Sequence, residues 1–154
     1  MDNFLKWATS IKTDRIVRCC AGDGRIPFSH SDDIAAVAIE AMTSPQYARQ
    51  SLPIAGPEAL SFAEMTAKLG AVIGQELCFR PISDEEERQQ QSAWGTPEPL
   101  IEARLGIFRA MRAGQLASLT SNVASILGRD PISFAKWAEQ NAAAFGVISD
   151  LLAQ

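Results

Sequence analysis

The stretch from Ala21 to Ala38 constrains this chain more than any other. Before it the apolar pattern is strand-like; after it the pattern is helical. Gly22 and Gly24 flank Asp23, a turn composition in which positive φ costs little. Pro27 keeps Ile26 extended, so Ile26-Pro27-Phe28 reads as a short apolar strand. Ser31 suits an N-cap, and Asp32 and Asp33 then fall in the first helical turn. Free N–H groups and the positive end of the helix dipole favour carboxylates there. Ile34, Val37, Ala38, Ala41 and Met42 follow at i, i+3, i+4, i+7 and i+8, one apolar face. The stretch is therefore expected to be turn, short strand and capped helix.

The remainder is mostly helical. Residues 2–12 carry Phe4, Leu5, Ala8 and Ile11 on one side, with Trp7 beside them. Arg15 to Cys20 is β-branched and partly alternating, a strand pattern. Ser51 to Ala55 reads as a short strand, with Pro53 at an edge or a start. Ser61 with Glu64 forms a capping box for a helix bearing Phe62, Met65, Leu69, Val72 and Ile73, stopped by Gly74. Glu76 to Ile82 alternates as a strand, and Ser83 with Glu86 caps a polar helix running through Gln91.

Trp94 to Pro99 breaks the pattern. Three helical faces follow: Leu100, Ala103, Arg104, Ile107, Phe108 and Met111; then Leu116, Leu119, Val123, Ile126 and Leu127; then Phe134, Trp137, Ala138 and Asn141. Phe145 to Gln154 is an apolar tail. The sum is a helix-rich α+β fold, a small sheet of three to four short strands with about six helices, forming one domain over residues 1–154.

Composition closes several function classes. A net charge of −4, with lysines and arginines scattered, leaves no basic stripe for nucleic acid. No apolar run reaches bilayer-spanning length, so a membrane is not an expected partner. A cationic-then-apolar leader is also missing. Three cysteines, two of them adjacent, make no disulfide framework, so a reducing, cytoplasmic location is expected. One histidine and no cysteine pair at ligand spacing argue against a structural zinc site. Neither a nucleophile elbow nor a phosphate loop ending in Gly-Lys-Ser/Thr occurs. Tyr47 has no lysine four residues on, so the helical tyrosine–lysine pair of typical short-chain dehydrogenases is missing.

Acid–base chemistry remains. His30 stands at a strand-to-helix junction beside Asp32 and Asp33. If Asp33 reaches His30, the two can move protons near neutral pH. The competing account makes His30 a hydrogen-bonded junction residue and both aspartates helix-start charges. Arg25 suits an anionic or carbonyl substrate, or a solvated turn. Met65 and Met111 suit an adaptable apolar pocket, or core gaps.

Met1 to Phe4, Gly22 to Phe28, Asp32 to Ala38, Gly56 to Ser61, Gly128-Arg129 and Ser133-Phe134 also carry a likeness. Taken together and in this order they resemble the C-terminal, substrate-side half of NmrA-like atypical short-chain dehydrogenases. The festuclavine/agroclavine dehydrogenase branch of ergot-alkaloid biosynthesis is the nearest in pattern. That family's N-terminal Rossmann half has no counterpart in this sequence, and Gly22-Asp23-Gly24 lacks the third glycine of a dinucleotide turn. The resemblance implies a small-molecule substrate, for which Arg25, Phe28, Tyr47, Trp94, Phe108 and Met111 are the binding candidates; His30, Asp33 and Asp32, read from the residues themselves, are the catalytic candidates. Trp94 and Phe108 flank a break that lies near the substrate pocket in that family.

It also implies no cofactor bound by this chain alone, NADP(H) entering only if a partner supplies the Rossmann half. The surface that half would cover predicts a homodimer. Three functions compete. The first is a cofactor-independent cyclase or isomerase of natural-product metabolism. The second is the substrate-binding subunit or fragment of an NAD(P)H-dependent imine or enone reductase. The third is a non-catalytic NmrA-like regulator.

Overall fold

The structure, a computed structural model, describes residues 1–146; the apolar tail positions Val147, Ile148, Leu151 and Leu152 lie outside the described residues. A 3-10 helix over Asp2–Trp7 runs into α1 (Ala8–Asp14), and Arg15 ends it in the left-handed region at φ 57°. The chain then turns into β1 (Ile16–Cys19), whose Val17 and Cys19 point into the core. Among the described residues its ladder partner is β2 (Cys78–Pro81), parallel and in register from Ile16 opposite Cys78 to Cys19 opposite Pro81. A parallel pair needs a long crossover. Here residues 20–77 supply it, with α2 (Ser31–Thr43) and α3 (Phe62–Ile73) inside. After β2 come α4 (Asp84–Ala93), α5 (Glu98–Arg112), α6 (Asn122–Leu127) and α7 (Phe134–Asn141).

Both predicted capping boxes form. Ser61 Oγ accepts from the Glu64 N–H at 3.2 Å while the Ser61 N–H donates to Glu64 Oε2 at 2.9 Å; Ser83 and Glu86 repeat the pattern on α4. From that start α3 lays Phe62, Met65, Leu69 and Ile73 into the core. An aromatic cluster joins the chain's first turn to both ends of the molecule. Phe4 meets Phe134 edge-on at 5.3 Å, Trp7 meets Phe62 at 5.3 Å, and Phe134 lies 5.2 Å from Trp137. Buried side chains of this size contribute roughly 1.5–3 kcal/mol each. Polar tips are satisfied at the cluster's edge: Trp7 Nε1 donates to the Arg18 carbonyl and Trp137 Nε1 to Asp2, at 2.7 and 2.8 Å.

The architecture is the expected helix-rich α+β, with a smaller sheet: among the described residues it has two strands rather than three or four. Ile26 makes one antiparallel bridge to Leu60, and residues 51–55 pair with no strand. Pro27 and Pro53 lack the N–H that a ladder needs, so neither segment propagates one. Helical faces also move. The α5 core face is Ile101, Leu105, Phe108 and Met111, one step round from the predicted stripe, and Leu100 is exposed. The stretch expected to be helical from Leu116 is irregular until Asn122, with Leu119 exposed.

Candidate functional site

Four segments converge on one apolar cleft of about 90 Å³ that opens to solvent on one side. Phe4 and Trp7 come from the first turn, Ile26 and Phe28 from the bridge segment, and Phe62 and Met65 from α3. Helix α5 supplies Arg104, Ile107, Phe108 and Met111, spaced i, i+3, i+4 and i+7 and hence on one side. Two glycines set the walls. A Cβ on Gly24 would meet the Met111 carbonyl carbon at 2.5 Å, and one on Gly56 would overlap the Phe28 carbonyl oxygen. Gly24 thus lets the end of α5 close on the turn. Gly56 lets its own N–H reach the Pro27 carbonyl at 3.0 Å and hold Phe28 in place.

Among the described residues Arg104 is the one charged side chain in this apolar lining. Its guanidinium carbon stands 5.6 Å from the Trp7 ring centre and 5.2 Å from that of Phe108. Behind it, Glu87 is fully buried, with Oε1 at 3.5 Å from Arg104 Nε and already accepting from Gln91 Nε2 at 2.7 Å. Lys6 is near enough to feel both charges. Its ammonium is held below the ordinary lysine range first by desolvation and then by the Arg104 charge, against an opposing pull from Glu87.

Of the residues singled out from sequence, Phe28, Phe108 and Met111 line the cleft, as does Met65. The others go elsewhere. His30 is buried and caps α2: its Nδ1 accepts from the Asp32 N–H and its Nε2 faces Gln140 Oε1, both at 3.1 Å. His30, not Ser31, is therefore the N-cap. Because Nδ1 accepts, the proton belongs on Nε2 and points at Gln140. The Asp32 carboxylate is solvent-exposed, 3.8 Å from Nδ1. Asp33 does not pair with His30. It is buried, takes the Ile132 N–H on Oδ2 at 2.8 Å, and holds Arg129 at 2.7 Å from Oδ1. The expected proton pair is replaced by two tethers, one to α7 and one to the loop between α6 and α7.

Arg25 turns away from the cleft, donating to the Ala59 carbonyl at 3.1 Å and pairing with Glu64 at 2.5 Å. Tyr47 lies in a separate 3-10 turn, Pro45–Tyr47. Trp94 packs edge-on against Trp7 at 6.3 Å and lines a different groove with Lys6 and Thr13. Glu58 pairs with Lys68 at 3.0 Å. Burial pushes the Cys19 thiol far up and the Cys20 thiol up to about 12, so neither offers a thiolate. Among the described residues no cluster of three His, Cys, Asp or Glu could hold a metal ion, and no helix is long and apolar enough to cross a membrane. Missing from the sequence reading were Phe4, Trp7, Ile26 and Arg104 as cleft residues. Arg104 did carry a signal, a cation inside an otherwise apolar helical stripe.

No family model matches the chain. It is 34% identical over 146 residues to an NAD(P)H azoreductase of Xenophilus azovorans, covering 95% of this chain and 51% of that protein. It is 33% identical over 145 residues to a (4-alkanoyl-5-oxo-2,5-dihydrofuran-3-yl)methyl phosphate reductase of Streptomyces griseus, covering 94% and 51%. The agroclavine dehydrogenase of Claviceps fusiformis is 26% identical over 132 residues, covering 86% and 46%. Among solved structures, an NADPH-dependent quinone oxidoreductase from Escherichia coli superposes with a TM-score of 0.81 at 19% identity, covering 90% of this chain and 50% of that one. This chain resembles the C-terminal half of NmrA-like reductases. It spans about half the length of the curated relatives it matches.

The likeness bears on the dinucleotide. The Gly22–Gly24 turn opens no helix, and Gly24 is pressed against the α5 backbone where a pyrophosphate would need room. That turn does not fit the group.

Proposed function

We propose that this chain forms the substrate side of an NAD(P)H-dependent reductase of small conjugated molecules, the dinucleotide being held by protein residues other than those described. The observation that carries this reading is the one-sided aromatic cleft. It lies on a chain that matches half of several proteins named as NAD(P)H or NADPH-dependent reductases. Its aromatic and aliphatic walls favour a flat apolar reactant over water. The chain's part is to bind, orient and dry the reactant; hydride, when supplied, comes from the nicotinamide.

The cyclase or isomerase alternative requires a proton donor at the reactant. His30 does not line the cleft, and both of its ring nitrogens are engaged. The geometry therefore supports the reductase reading over the non-redox one.

The test is a pair of titrations on this chain, with tryptophan fluorescence as the readout because Trp7 lines the cleft. A bicyclic aromatic ligand is expected to quench it saturably, and NADPH to bind no more tightly than free adenosine phosphate. Turnover of a conjugated test substrate by the chain without NADPH would overturn the reading, as would tight dinucleotide binding that Gly24→Ala abolishes.

A further inference from the structure

We infer that the cleft takes an aromatic or conjugated molecule carrying an anionic oxygen group, such as a carboxylate, and that Arg104 is the residue that holds it. This rests on the substrate-side reading above and adds the ligand's charge to it.

The argument begins with an imbalance. Arg104 is only 17% exposed, yet among the described residues its guanidinium makes no hydrogen bond. Its Nε lies 3.5 Å from Glu87 Oε1, outside the usual range for an N–H···O bond. Glu87 cannot close that gap cheaply, since Gln91 already occupies the same oxygen. Its Nε is buried without a hydrogen-bond partner, which is costly, and among the described residues no protein group takes the two Nη groups. A guanidinium presents its donors in a planar fork that matches a carboxylate.

The guanidinium carbon lies over the rings of Trp7 and Phe108. A cation–π contact uses no hydrogen-bond acceptor, so it leaves the N–H donors free for an oxygen ligand. The local charge also points one way. Arg104 puts a positive charge in excess in the lining itself, since among the described residues no carboxylate lines the cleft and Glu87 stands behind it at 3.5 Å. A neutral flat ligand would fill the rings and leave that excess as it is. One bearing an anionic oxygen satisfies both the rings and the fork.

The experiment compares 2-naphthoate with 2-naphthamide, which share a shape and differ in charge. Binding to the chain is followed by tryptophan quenching and calorimetry. The expected result is a preference for naphthoate of about tenfold or more, the scale of a charged hydrogen bond. Arg104→Gln is expected to bring the two ligands to within about threefold of each other. Should that variant fail to fold, the unaltered chain still reports. The Arg104 Nε–H resonance is expected to move downfield with naphthoate and to stay in place with naphthamide.

Equal affinity for the two ligands would overturn the anion inference and leave the aromatic cleft standing. So would a naphthoate preference that survives Arg104→Gln, or an unmoved Nε–H resonance at saturation. Failure of both ligands to bind would overturn the cleft reading as well.

Discussion

Helices α2 and α3 start alike and end up differently. Each begins with a side-chain cap, each has an acid in its first turn, and each repeats apolar residues at helical spacing. Yet α3 buries Phe62, Met65, Leu69 and Ile73, while α2 leaves Ile34, Ile39 and Met42 exposed at 46, 58 and 78%. What α2 buries instead is Asp33 and Val37. So α3 is held by its side and α2 by its end, through Asp33 to Arg129 and the Ile132 N–H. An apolar period shows which face prefers cover. Whether anything covers it depends on what the rest of the chain brings there.

The contrast breaks most visibly under truncation. Leu69→Ala on α3 is expected to cost about 2–5 kcal/mol, through lost burial and the cavity left behind. Met42→Ala on α2 is expected to stay within about 0.5 kcal/mol. Urea midpoints measure both, and a comparable loss at Met42 would mean that its face is covered in solution. Next in size is Asp33→Ala, at about 1–3 kcal/mol, because the Ile132 N–H is left without its acceptor. The share from Arg129 is small, that side chain being nearly half exposed. Were Asp33 a proton-transfer group rather than a tether, its removal would leave the midpoint unmoved.

The caps sharpen the comparison further. Ser61→Ala and His30→Ala are each expected to lose about 1 kcal/mol, and His30→Asn to regain most of it by restoring an acceptor. The smallest effect is on pH dependence. Glu64 is held below the ordinary glutamate value, first by the Ser61 backbone N–H and then by Arg25. A depressed carboxyl stabilises the fold above its unfolded value, and that contribution is lost as pH falls through its folded one. Glu64 is more than a third exposed, so screening keeps the loss to about a few tenths of a kcal/mol. Midpoints followed downward through the carboxylate range should show it, and Glu64→Gln should flatten that part of the curve.

Local chemistry was readable wherever it was self-sufficient. The boxes at Ser61–Glu64 and Ser83–Glu86 need only three residues' separation, and both form as expected. The α3 core face, β1 and β2 followed from periodicity. The extra strands failed at Pro27 and Pro53, where a missing N–H outweighed apolar character. The α2 cap moved one residue because the His30 ring offers its Nδ1 to the Asp32 N–H, two residues on, as a capping side chain does. At the candidate site, Phe28, Phe108 and Met111 were legible as apolar groups near breaks. Phe4 and Trp7 were legible only as a helix face, since nothing in their own neighbourhood shows that they meet α5.

From the order of its residues alone, this chain settles where helices begin and stop, which strands have β-branched cores, and its likeness to half of a reductase. Those properties depend on interactions a few residues apart. Tertiary structure decided that Arg104, Trp7 and Phe108 share one cleft and that His30 and Asp33 serve as tethers. Each of those contacts joins segments dozens of residues apart, and its energy exists only once the chain has closed the loop between them.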